Sequence, residues 1–79
     1  MSKREAILEI LHTIRPSVNF EEAYGIIDNG ILDSLEFLSL ITELGTHFDV
    51  EIDAEEITSE NFCTVETIEK MITRLGEKK

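Results

Sequence analysis

Three stretches of this chain carry apolar residues at a spacing that only an α-helix gathers onto one side. Ala6, Ile7, Ile10, Leu11 and Ile14 form the first stripe; Phe37, Leu40, Ile41, Leu44 and Phe48 the second; Val65, Ile68, Met71, Ile72 and Leu75 the third. The pattern predicts helices over about 3–14 and 34–48, and a last helix that starts after Thr64 as N-cap and stops at Gly76. Arg15-Pro16 ends the first helix, because proline disfavours a helical residue before it. Strand-like alternation occurs only at Phe48, Val50 and Ile52, too short and without a partner, so this segment is an extended connection with its apolar side chains turned inward. Ile57, Phe62 and Val65 continue those inward contacts, leaving room for a short helix between about Ala54 and Phe62.

The fold class is therefore all-α, three main helices and one short one, in a single domain spanning residues 1–79. One proline and few aromatic residues argue in the same direction. Between Pro16 and Asp33 no periodicity persists; a helical turn is expected near Phe20 to Tyr24 and a tighter turn at Asp28-Asn29-Gly30. A loop this long in a small domain tends to serve a function.

The formal charge is −10, and its distribution is uneven. Every Lys and Arg falls in one of two terminal blocks, Lys3, Arg4 and Arg15 or Lys70, Arg74, Lys78 and Lys79, so 16–69 holds acids with no such base. A field of one sign repels nucleic acid and anionic membranes and attracts basic protein surfaces. Cys63 is the only cysteine, which excludes an intramolecular disulfide and fits a reducing compartment. With no export signal and no membrane span in the sequence, a cytoplasmic monomer without membrane insertion is expected.

Little in the chain offers reactive chemistry. Asp49, Glu51, Asp53, Glu55 and Glu60 imitate a calcium loop, but Ala54 stands where the sharp turn needs glycine and Ile57 at the ninth position. His12 and His47 have no second ligand at metal spacing, so no metal site is assigned. Ser34 is different. It follows Asp33 at a helix start, where free N–H groups and the helix dipole favour a phosphate. Asp33 and Glu36 also have the spacing of a capping box, which accounts for the motif without any chemistry. Leu35 and Leu38 leave the core stripe, however, and share a second face with Ser39, Thr42 and Thr46, edged by Glu36 and Glu43. Two such leucines beside the serine make a small apolar docking spot.

The run Gly30-Ile31-Leu32-Asp33-Ser34-Leu35, followed by this helix, by Phe48-Asp49-Val50-Glu51-Ile52 and by Thr64-Val65 with Ile68, resembles the acyl carrier protein family over nearly the whole chain. The resemblance implies a four-helix bundle with a long first loop, and a non-catalytic carrier. It implies 4′-phosphopantetheine, transferred from coenzyme A by a carrier-protein synthase (a phosphopantetheinyl transferase), covalently attached at Ser34. Asp33, Leu35, Glu36, Leu38 and Glu43 would then form the surface read by that synthase and by acyl- or aminoacyl-loading and transfer enzymes. An apolar interior lined by Leu40, Leu44, Phe48, Ile52 and Ile68 would be available to shelter a hydrophobic cargo.

Fatty acid or polyketide synthesis is the first expectation from the resemblance, with a D-alanyl or other aminoacyl carrier as the alternative. The alternative draws on two departures: Ser39, Thr42, Gly45 and Thr46 stand where fatty-acid carriers commonly present acids, and the connection before Thr64 is slightly longer. The rival from another class is an unmodified acidic helical adaptor. On this reading Leu38→Ala and Glu36→Lys should each impair partner recognition and leave the helices intact.

Overall fold

The computed structural model describes residues 2–77 and is built from α1 (Lys3–Ile14), α2 (Ser34–Phe48), one 3-10 turn (Ala54–Glu56) and α3 (Val65–Glu77). Helix α1 packs against both α2 and α3. Its start is a full capping box: Ser2 Oγ accepts from the Glu5 N–H at 3.1 Å, and the Glu5 carboxylate accepts from the Ser2 N–H at 3.4 Å. At its end Pro16 holds Arg15 outside helical space, at φ −137° and ψ 83°, with the Arg15 N–H still donating to the Leu11 carbonyl at 2.8 Å.

The core takes Ile7 and Leu11 from α1, Leu40 and Leu44 from α2, and Ile68, Met71 and Ile72 from α3, all buried. Three helices this short do not close a core by themselves. The 16–33 loop supplies the remainder, with Phe20 and Ile26 fully buried and Leu32 nearly so. The loop is also tied by its backbone, since the Ile26 and Ile27 N–H groups donate to the Cys63 and Phe62 carbonyls at 3.1 and 3.3 Å. Ser59 adds a side-chain tie, its hydroxyl donating to Asp28 at 2.7 Å. Gly25 makes the preceding turn possible. Its φ is +65°, and a Cβ there would stand 2.6 Å from the Asn29 side-chain nitrogen, which itself donates to the Tyr24 carbonyl.

Phe37, Ile41 and Phe48 of the second stripe are only half-buried, and Phe37 meets Phe62 edge to face at 4.9 Å. Helix α2 ends on Asp49 in the left-handed region, φ 54°. The N–H groups of Asp49 and Val50 both return to the Gly45 carbonyl, and the Val50 carbonyl lies 3.2 Å from where a Gly45 Cβ would be. The glycine inside α2 thus permits the close return of the chain.

The expected short element is present in reduced form, and two expectations are corrected. The short helix between Ala54 and Phe62 is reduced to the single 3-10 turn, because Thr58 and Asn61 side chains take backbone groups that a helix would use. The Asn61 amide donates to the Glu56 carbonyl at 2.7 Å, and the Thr58 hydroxyl accepts from the Asn61 N–H at 3.1 Å. Ile57, expected inward, consequently lies at the surface. Gly76 does not stop the last helix but lies within α3, in open space and without the positive φ that makes glycine a terminator. The start of α3 behaves as read, with reciprocal bonds between Thr64 and Thr67: the Thr67 N–H reaches the Thr64 hydroxyl and the Thr64 N–H reaches the Thr67 hydroxyl.

The charge map acquires a spatial meaning. Arg4 pairs with Glu66 at 2.9 Å, Arg15 with Glu36 at 2.8 Å and Arg74 with Glu56 at 2.6 Å, so each of these bases reaches an acid of the base-free segment. The Glu56 carboxylate also raises the pKa of the Arg74 guanidinium by hydrogen bonding to it.

Leu44→Ala should cost about 2–5 kcal/mol in urea unfolding followed by circular dichroism, the usual range for emptying a fully buried leucine site. Ile57→Ala, at the surface, should cost less than about 1 kcal/mol in the same measurement.

Candidate functional site

The head of α2 is built by its own sequence. Asp33, at φ −80° and ψ 179°, caps the helix: its carboxylate accepts from the Glu36 N–H at 2.8 Å, and the Glu36 carboxylate accepts from the Asp33 N–H at 3.0 Å. Both acids also stand at the positive end of the helix dipole. Leu32, immediately before, is buried, which anchors the chain on the core side. Ser34 therefore occupies the first helical position with its backbone fixed from both directions. Its side chain is exposed, and its hydroxyl makes no hydrogen bond to any described residue.

Leu35 and Leu38 are 77% and 61% exposed, too open to belong to the core. They stand one helical turn apart on the side of Ser34, as the helix-face reading requires. Asp33, Ser34, Leu35 and Leu38 thus form one continuous surface. Glu43 adjoins it on the side of Leu35. It lines an open groove of about 910 Å³ between α1 and α2, together with Leu35, Ser39, Glu9 and Ile10.

Glu36 differs most from expectation. Its side chain is only 22% exposed, one carboxylate oxygen is taken by the Asp33 N–H and the other by Arg15 Nε at 2.8 Å. It holds the helix start, so Glu36→Lys would act on stability as well as on recognition: it would remove half of the capping box and set a cation beside Arg15. The sequence places Arg15 at the end of α1 and in the first basic block, but its contact with Glu36 is seen only in the fold. Its signal was positional, because it is the last base before the segment without Lys or Arg.

The interior proposed for cargo is divided. Leu40, Leu44 and Ile68 are buried core, whereas Phe48 and Ile52 are half-buried at its edge. The neighbouring Cys63 thiol holds the Tyr24 hydroxyl above its ordinary pKa. Among the described residues no group of three or more His, Cys, Asp or Glu is arranged to hold a metal ion, and no helix is long and apolar enough to cross a membrane.

No family model matches the chain. Individual relatives do: it is 32% identical over 78 residues to the D-alanyl carrier protein of Lactococcus lactis subsp. lactis (strain IL1403), covering 96% of this chain and 95% of that protein. The D-alanyl carrier proteins of L. lactis subsp. cremoris strains MG1363 and SK11 are each 32% identical over 77 residues, covering 95% of this chain and 94% of theirs. This chain belongs to the acyl carrier protein family. As a carrier protein it matches these relatives over nearly its full length, so the matched stretch takes in the loop and α3 as well as the head of α2.

Asp33→Ala in this carrier should lower stability by about 1 kcal/mol through loss of the cap, and Glu36→Lys by at least as much, both measured by urea unfolding. Leu38→Ala should change it by less than about 0.5 kcal/mol in the same assay.

Proposed function

We propose that this carrier bears 4′-phosphopantetheine on Ser34 and holds an aminoacyl group, D-alanine, as a thioester on the distal thiol. The observation that carries the reading is Ser34 itself: an exposed hydroxyl with no hydrogen-bond partner among the described residues, on a capped helix start, in a chain of this family. In the loading step the Ser34 oxygen attacks the phosphorus that bears the pantetheine in coenzyme A. A new P–O bond forms, the bond to the nucleotide portion breaks, and the hydroxyl proton passes to a base supplied by the transferase. The phosphodiester would then sit where helix N–H groups favour negative charge.

The arm's thioester is an activated carbonyl for transfer to an acceptor. The protein's own residues present it: Leu35 and Leu38 offer an apolar contact beside the arm, and the acidic surface steers basic docking faces of the loading and transfer enzymes. Encounters of this kind are fast and reversible, as a shuttle between enzymes requires. The work belongs in the cytoplasm, where coenzyme A and activated amino acids are available.

Fatty acid or polyketide synthesis is less well supported. Leu40, Leu44 and Ile68 are packed as core, and Ser39, Thr42 and Thr46 leave the exposed face of α2 poor in acids. The names of the relatives also favour the D-alanyl alternative.

Incubation of the apo-protein with coenzyme A and a broad-specificity phosphopantetheinyl transferase should add the mass of one phosphopantetheine, and Ser34→Ala should abolish the gain. An unchanged mass with several such enzymes would return the chain to the reading of an unmodified acidic adaptor. Offered D-alanine and fatty acids with their respective activating enzymes, the loaded protein should accept D-alanine. Leu38→Ala should raise KM for the transferase severalfold, about 1 kcal/mol of lost contact, and leave the melting temperature nearly unchanged.

A further inference from the structure

The hydrogen bonds at the head of α2 continue beyond the capping box into α1. Glu36 is held at both carboxylate oxygens, by the Asp33 N–H on one side and by Arg15 Nε on the other, at 3.0 and 2.8 Å. A carboxylate held in this way cannot rotate freely about its last torsion, so its bond to the Asp33 N–H keeps one geometry. Arg15 is itself positioned: Pro16 sets its backbone, and its N–H is bonded to the carbonyl of Leu11, a residue fully buried in the core. A connected path therefore runs from the interior of α1, through Arg15 and Glu36, to the peptide group between Leu32 and Asp33, one residue before Ser34. Among the described residues the Ser34 hydroxyl has no hydrogen-bond partner, so that backbone sets where its side chain starts.

We propose that Arg15 is a positioning residue for modification of Ser34, acting through Glu36; the inference rests on Ser34 being the attachment residue. Positioning matters because group transfer is sensitive to small displacements of the nucleophile. Charge alone predicts the opposite role for Arg15. A cation near the attachment point of an acidic carrier weakens its attraction for a basic enzyme, so its removal should speed encounter. The two accounts differ in sign, which makes the experiment decisive.

Initial rates of phosphopantetheine addition from coenzyme A would be followed by mass for the full chain and for Arg15→Ala, Arg15→Lys, Glu36→Ala and the Arg15→Ala/Glu36→Ala double variant. Arg15→Ala should lower kcat about fivefold with little change in KM, Arg15→Lys should restore most of the loss, and Arg15→Ala should add nothing in the Glu36→Ala background, as expected of two residues in one network. Amide exchange at Asp33, read by NMR, should quicken in Arg15→Ala. A rate that is unchanged or raised in Arg15→Ala, an undiminished effect in the Glu36→Ala background, or unaltered Asp33 exchange would each overturn the inference. Failure of the Ser34 reading is separately visible, because the wild-type chain would then gain no mass.

Discussion

The burial of the loop between α1 and α2 is the constraint on which the other features depend. Phe20, Ile26 and Leu32 fill the core that three short helices leave open, and the Ile26 and Ile27 N–H groups join the loop to the strand of chain ahead of α3. Pulling Leu32 inward forces the next residues outward, because the chain must turn to begin α2. Asp33 takes up the turn as a cap and Ser34 emerges at the surface. The exposed serine is thus a by-product of where a leucine has to go.

The same economy governs the charges. A small acidic chain suffers self-repulsion, and surface ion pairs in isolation contribute only about 0–1 kcal/mol each. Here the pairs are placed between segments: Arg4 joins α1 to the start of α3, Arg15 joins α1 to α2, and Arg74 joins α3 to the 3-10 turn. Their value lies in fixing which elements meet. Other acids, among them Glu43, Glu51 and Glu55, are exposed and add to the negative field that a partner meets.

Much of this was legible in the residues. The stripes located α1 and α2 at their observed limits, and the split between Leu40 and Leu44 on one side and Leu35 and Leu38 on the other was visible from 100° steps alone. Local hydrogen-bonding choices were not. Thr58 and Asn61 divert backbone groups from a helix that the apolar spacing allowed, and nothing in the spacing of Ile57 records that diversion. Gly76 misleads for a related reason: glycine permits a helix end without requiring one. At the site, the motif could be read because a capping box is a local pattern, whereas the Arg15 contact joins residues 21 apart and depends on how α1 and α2 pack.

The unbonded hydroxyl of Ser34 has a last consequence. Groups that cap helices or bridge segments cannot be altered without loosening the fold, and Asp33 and Glu36 on either side are of that kind. Ser34 holds nothing together. Esterifying it would break no side-chain hydrogen bond found among the described residues, so a chain modified at Ser34 would keep the architecture of the bare one.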